Sequence, residues 1–225
     1  MEDVNTAVIV SARMGSTRLP KKAIRPIQGI EMLRFLFQRL KNSKKTKFFI
    51  FATTLSKEDE VLVEIANQEG FNVFRGSTDN LVSRYYQAAS YYDVDLICRV
   101  TGDCPFVNGE MIDYCLGKII KTNFDLATTK GNFPVGLDAE FFRKDALKNF
   151  LEKDLLSSSQ KEHLTLYFYE NKEDYYIKDI LPPEVWISDK SFTVDVKEDY
   201  DFASELAERF ENPNFSIAEL INRVQ

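Results

Sequence analysis

Between residues 12 and 25 the chain carries Arg13, Arg18, Lys21, Lys22 and Arg25, set among Gly15, Ser16 and Thr17, with no acidic residue in the stretch. A glycine lets a ligand come close to the backbone, hydroxyls donate hydrogen bonds, and guanidinium forks match phosphate oxygens two at a time. The combination suits a polyphosphate. Its spacing fits neither GxxxxGK[ST] nor GxGxxG, so a solvated basic surface loop is the competing reading.

Two aspartates stand in comparable settings. Asp103 follows Thr101-Gly102 and precedes Cys104-Pro105, and Asp195 lies in Phe192-Thr193-Val194-Asp195-Val196-Lys197-Glu198-Asp199. Carboxylates on such loops suit Mg²⁺, which takes oxygen ligands, usually one or two carboxylates plus substrate phosphates. Asp also favours turns and helix caps, so Asp103 as a turn or helix cap and Asp195 as the N-cap of a following helix are the alternatives. His163 is the sole histidine. With no second His and no Ser-His-Asp arrangement, nucleophilic hydrolysis has little support.

The elements that must position these groups follow from hydrophobic period. Ala7 to Val10 is a buried strand that stops at the basic loop. Pro26-Ile27-Gln28-Gly29 is a turn, and Leu33, Leu36, Phe37 and Leu40 fall on one helical face. Lys47–Thr53, Phe71–Phe74 and Asp95–Val100 read as strands, alternating with helices around Leu62–Ala66, Leu81–Tyr92 and Ile112–Ile119, the last capped by Asn108. Ser56 and Asp59 resemble a capping box. Strand and helix alternate four times in about 120 residues, which is the signature of an α/β fold with a mostly parallel sheet. Ligands of such sheets sit beyond the carboxyl ends of the strands, so the loops after Ala12, Phe74 and Val100 are expected to share one crevice. Further on, strands are expected at 124–129, 137–142, 175–180 and 192–196. A helix capped by Ser159 and Glu162 should run through Phe168, and helices at 199–210 and 217–224 should close the chain.

At 225 residues the chain is expected to form one domain, residues 1–225, with a looser segment at about 130–190 for acceptor binding or dimer contact. A hydrophobic content of 44% with 18 Phe and 10 Tyr excludes a disordered chain. The net charge of -6 argues against broad nucleic-acid or membrane-surface binding, so an anion site must be local. Cys98, Cys104 and Cys115 form no CxxC pair, and the acidic start Met1-Glu2-Asp3 leads into too short an apolar run for a signal peptide. The expected location is the cytoplasm.

Five segments in order resemble the cytidylyltransferases that activate acidic sugars, in the branch that includes spore coat polysaccharide biosynthesis protein F: Ala12 to Pro20, Arg99 to Pro105, Phe133 to Glu140, Glu162 to Thr165 and Val194 to Asp199. The resemblance implies a Rossmann-like three-layer sandwich of the nucleotide-diphosphosugar transferase type, CTP as substrate, Mg²⁺ as cofactor and a homodimer. It implies that the first loop, with Ala12, Arg13, Met14, Gly15, Ser16, Arg18 and Lys22, wraps the triphosphate. It implies that Asp103 and Asp195 hold the metal and that Ser77, Asn80 and Thr101 approach the nucleotide. Lys22, Arg13 and Asp103 are then the catalytic candidates. Three departures stand out: Lys21 replaces a usual Gly, Thr101 a Gln, and Leu166 a Pro.

The expected reaction moves CMP from CTP to an acidic sugar or related anionic acceptor and releases pyrophosphate, in polysaccharide or glycan synthesis. Glu140 and His163 are candidates for the acceptor site, with core or dimer-contact roles as the alternative, and Arg143 or Lys161 could supply a cation. Rival readings are a non-sugar phosphorylated or phosphonate acceptor, a glycosyltransferase using Asp93-Val94-Asp95 as its DxD motif, and a non-catalytic nucleotide binder.

Overall fold

In the computed structural model, which describes residues 4–152 and 156–224, the first apolar run becomes β1 (Thr6–Ser11). The acidic start Met1-Glu2-Asp3 lies outside the described residues. Val8 and Val10 point into one core cluster and Ala7 and Ile9 into another, so β1 is covered on both faces. A central strand of a two-sided sheet needs apolar residues at every position, which is what this run supplies.

A short hairpin, β2 (Pro26–Ile27) and β3 (Ile30–Glu31), turns at Gln28-Gly29 and leads into α1 (Met32–Leu40). Then come β4 (Phe48–Thr54), α2 (Glu60–Gln68), β5 (Asn72–Gly76), α3 (Leu81–Tyr91), β6 (Leu96–Thr101) and α4 (Gly109–Ile119). Asn108 caps α4 as its position suggested, accepting from the Met111 amide at 2.9 Å. The second half supplies β7 (Leu126–Thr128), β8 (Glu140–Arg143), α5 (Lys144–Glu152), α6 (Ser158–Glu162), α7 (Leu166–Glu170), β9 (Ile177–Asp179), α8 (Lys197–Ala207) and α9 (Ile217–Asn222).

The sheet order is β5-β4-β1-β6-β8-β7-β9. Pairing is parallel throughout except at β8, which runs against both of its neighbours, β6 and β7. Side chains of α1, α2, α4, α8 and α9 build the core on one face, and those of α3, α5 and α7 build it on the other. The result is the mostly parallel, three-layer Rossmann-like sandwich expected from the sequence.

Two expectations need correction, and one helix is an addition to them. Residues 192–196 do not join the sheet. Phe192 and Val194 are fully buried while Thr193 and Asp195 face out, but the Phe192 amide donates to Val135 O at 2.7 Å and the Val194 amide to Asp103 O at 2.8 Å. Period-2 alternation reports a half-buried extended segment, and here loops rather than a strand accept its hydrogen bonds. The helix foreseen from Ser159 to Phe168 is two helices, α6 and α7, broken at His163–Thr165, and its capping box is Ser157 with Gln160. Helix α5 was not foreseen at all.

Candidate active site

Strand order fixes where the crevice opens. From β1 the chain moves to β4 and β5 on one side and then returns to β6 on the other, so loops leaving β1 and β6 diverge at a switch point, the usual ligand position in such sheets. Ser11 is level with Thr101, and the Gly102 amide donates to Ser11 O at 3.0 Å. A Cβ on Gly102 would lie 2.7 Å from the Ala12 Cβ and 3.1 Å from Ser11 O. Only glycine lets the two loops approach this closely. Gly102→Ala is expected to push them apart, costing about 1–3 kcal/mol in thermal or denaturant unfolding and lowering turnover by roughly up to a hundredfold.

These two loops and the extended segment 192–196 bring four charges together. The Lys22 ammonium lies 3.3 Å from Asp103 Oδ2 and 3.1 Å from Asp195 Oδ1, and donates to Val194 O at 2.8 Å. Arg18 reaches the same Asp195 oxygen at 3.1 Å. The Lys22 side chain is only 16% exposed, so these contacts are shielded from bulk water. Burial pushes the Asp103 carboxyl up, but the Lys22 charge opposes it and the net position is below the ordinary aspartate value. Asp195 is not a helix cap. Val196 is the N-cap of α8, and Asp199 in the first turn accepts from the Asp195 and Val196 amides at 2.9 and 3.1 Å, while the Asp195 carboxylate faces Lys22.

Asp195 is aimed by Gly136, whose φ of 81° is left-handed and whose Cβ, if present, would sit 2.1 Å from the Thr193 amide nitrogen. The basic loop is held in turn by Asp59, whose carboxylate accepts from the Met14 amide at 2.8 Å. Burial raises the Asp59 carboxyl, but hydrogen bonds led by Thr54 bring it below its ordinary value. Lys21 has φ 58° and ψ 28°, the left-handed region, a conformation that glycine adopts more readily than lysine.

Carboxyls held low in the fold by such partners add stability that is full above their unfolded pKa and is lost as pH falls through the folded value. Asp59, Asp103 and Glu140 all shift in this direction. Acid unfolding, followed by circular dichroism, is therefore expected to set in below about pH 4.

The crevice runs as three connected hollows. The first, about 670 Å³, is lined by Ser11, Ala12, Arg13, Thr78, Asp79, Leu81, Arg84 and the α6 residues Ser158, Lys161 and Glu162, with His163 just beyond. The middle one, about 370 Å³, is lined by the basic loop from Ser11 to Arg18 except Met14, with Lys22, Thr101, Gly102, Asp103 and Asp195. The third, about 290 Å³, shares Arg99, Thr101, Asp103 and Asp195 with the middle one and adds Lys130, Gly136, Asp138 and Glu140. Arg13 spans the first two and approaches Glu162 at 3.8 Å.

The structure thus brings Ala12, Arg13, Gly15, Ser16, Arg18, Lys22, Thr101, Asp103 and Asp195 to one groove. Met14 contributes its amide to Asp59, while its side chain packs against the core. Ser77 and Asn80 are not on the groove wall: Ser77 Oγ accepts from the Asp79 and Asn80 amides, and Asn80 caps α3 by accepting from Ser83. Turn closure uses their polar atoms, and Thr78 and Asp79 face the groove instead.

Glu140 and His163 do not share a site. His163 borders the first hollow, whereas Glu140 is at the third, 1% exposed, with Arg99, Lys130, Thr165 and Tyr169 as partners. Arg143 is exposed at the far end of β8, and Lys161 lies on the first hollow with His163, so neither borders the third. Asp95 accepts from the Asn5 amide at the amino end of β6, the end away from the groove, which removes the basis for a DxD reading. Sequence reasoning missed Asp59, Arg99, Lys130 and Asp138. The signal for Arg99 was present, since a charge inside the buried strand Leu96-Ile97-Cys98-Arg99-Val100 must find a partner.

A family model for cytidylyltransferases matches residues 7–221. An uncharacterised protein of Methanocaldococcus jannaschii is 38% identical over 215 residues, 95% of this chain and 88% of that protein. The spore coat polysaccharide biosynthesis protein SpsF of Bacillus subtilis is 32% identical over 222 residues, 95% of this chain and 91% of that one. Among solved structures, a cytidylyltransferase from Leptospira borgpetersenii superimposes with a TM-score of 0.91 at 32% identity, covering 98% of this chain and 94% of its own.

Proposed function

The chain belongs to the cytidylyltransferase family, and from that premise we propose that it transfers CMP from CTP to an acidic sugar, with release of pyrophosphate, in cell-surface polysaccharide synthesis. The observation that carries this reading is the Lys22 ammonium set between Asp103 and Asp195 at the inner end of a basic loop. The name of the Bacillus relative supports a polysaccharide setting.

In the proposed reaction an acceptor oxygen attacks the α-phosphorus of CTP, a new P–O bond forms, and the bond to the β-phosphate breaks as pyrophosphate leaves. A hydroxyl acceptor gives up its proton to water. Chemistry of this kind asks mainly for positioning and for charge stabilisation. Arg13, Ser16, Arg18 and Lys22 are the residues to hold the phosphates in the middle hollow, with the nucleoside in the first hollow and the acceptor in the third.

Asp103 and Asp195 flank Lys22 with two carboxylates on the wall of the middle hollow, and among the described residues no group of three or more His, Cys, Asp or Glu side chains forms a closed metal cage. That donor set fits Mg²⁺, which draws its other ligands from phosphates and water. Held there, Mg²⁺ would neutralise phosphate charge and polarise the reacting oxygen.

A cytoplasmic homodimer completes the reading. Beside β9, an edge strand, Tyr176, Leu181, Val185 and Ile187 are exposed and offer an apolar face to a second copy. No helix among the described residues is long and apolar enough to cross a membrane.

The test is a thermal-shift comparison of CTP, UTP, ATP and GTP with Mg²⁺, then pyrophosphate release with acidic sugars. CTP should stabilise the fold by roughly 2.7 kcal/mol at a hundredfold excess over Kd. Preference for another nucleotide, or binding without turnover on any acceptor, would overturn the assignment.

A further inference from the structure

The third hollow holds charges that the phosphate chemistry leaves unused. Arg99 and Lys130 both contact the same oxygen of Glu140, Oε2, with Lys130 at 3.0 Å. Thr165 also donates to Oε2, at 3.0 Å, and the Tyr169 hydroxyl lies 2.8 Å from Oε1. Two cations share one saturated carboxylate. The Nε of Arg99 is buried and has no hydrogen-bond partner among the described residues, an arrangement that native proteins rarely leave uncompensated. Asp138 lines the same hollow but makes no ion pair within 4.0 Å with either cation among the described residues, so it does not complete the cluster.

Position separates this cluster from the nucleotide. Arg99 borders both the middle and the third hollow, but Lys130 borders the third alone. An anion that meets both groups must therefore enter from the acceptor end. Asp138, at the same end, offers acceptor oxygens to whatever lies there.

We propose that Lys130 and Arg99 receive the carboxylate of the acceptor in the third hollow and that Asp138 accepts a hydrogen bond from another group of the same molecule. The inference deepens the transferase reading and rests on it. Burial and the nearby carboxylate of Glu140 push the Asp138 carboxyl above its ordinary value, against the pull of Lys130, which is the behaviour of a carboxylate kept in place at some expense of stability.

The test uses the full chain with CTP and Mg²⁺, the probes being 3-deoxy-manno-octulosonate, N-acetylneuraminate and the methyl ester of each. Calorimetric CTP binding is measured alongside pyrophosphate release for the wild type, Lys130→Met and Asp138→Asn. Lys130→Met should raise KM for the reacting acid by about tenfold to a hundredfold, leave CTP affinity unchanged, and remove most of the preference for acid over ester. Asp138→Asn should also raise KM for the acid, keep the preference over the ester, and unfold at a higher temperature than the wild type. A wild type that binds CTP and turns over acid and ester equally overturns the inference. So does a Lys130→Met variant that keeps the preference. Failure of the wild type to bind CTP at all overturns the transferase reading instead.

Discussion

Replacing Lys22 with alanine is expected to lower turnover on CTP by a hundredfold or more. The ammonium is preorganised by two carboxylates and a backbone carbonyl at 2.8 to 3.3 Å, so it needs little rearrangement when charge develops on the phosphates. A single such donor is worth on the order of 3–4 kcal/mol in the transition state. Its loss also changes Asp103. Without the neighbouring cation, burial acts on that carboxyl with less opposition and its pKa moves up, so the acid limb of the rate profile should shift toward neutral pH. Lys22→Arg keeps the charge but cannot fit a planar fork to the same three oxygens, and should restore only part of the rate. Pyrophosphate release measured against pH reads both effects, and unchanged turnover in Lys22→Ala would remove Lys22 from the reaction.

Glu140→Ala should fail in a different way. The side chain is 1% exposed and compensates Arg99 inside the sheet, where it lies level with it in the β6–β8 register. Removing one partner of a buried pair leaves an uncompensated charge, which costs about 3–5 kcal/mol. The variant is therefore expected to show a large fall in unfolding temperature, together with a disturbed third hollow. Equilibrium unfolding in urea decides the matter: wild-type stability with a raised acceptor KM would return Glu140 to the role of an acceptor ligand that its position first suggested.

The sequence made the sheet legible where period and burial coincide. The run from Ala7 to Val10 reads as a buried strand, which it is, and the basic loop after it stood out because no acid dilutes it. The helix break at His163–Thr165 was hidden because Leu164, fully buried, keeps the apolar period going while Thr165 turns toward Glu140. Residues 192–196 alternate as a strand does, yet nothing in local sequence says that their hydrogen bonds go to Val135 and Asp103. The meeting of Asp103 and Asp195 is a contact between residues far apart in the chain. Only the resemblance hinted at it, since neither periodicity nor spacing encodes which loops become neighbours. Asp59 was misjudged for a related reason: Ser56 does cap the short helical turn that follows it, but the Asp59 carboxylate reaches back to the basic loop.

Strand β8, the one that opposes its neighbours, has a consequence for how such an enzyme could diversify. Because it runs backward, its first residue arrives at the edge of the groove where the other strands finish, and the connection from Thr129 to Ala139 supplies a wall that borders neither of the other two hollows. Variation confined to that single connection could reshape the third hollow while the walls of the other two stay as they were.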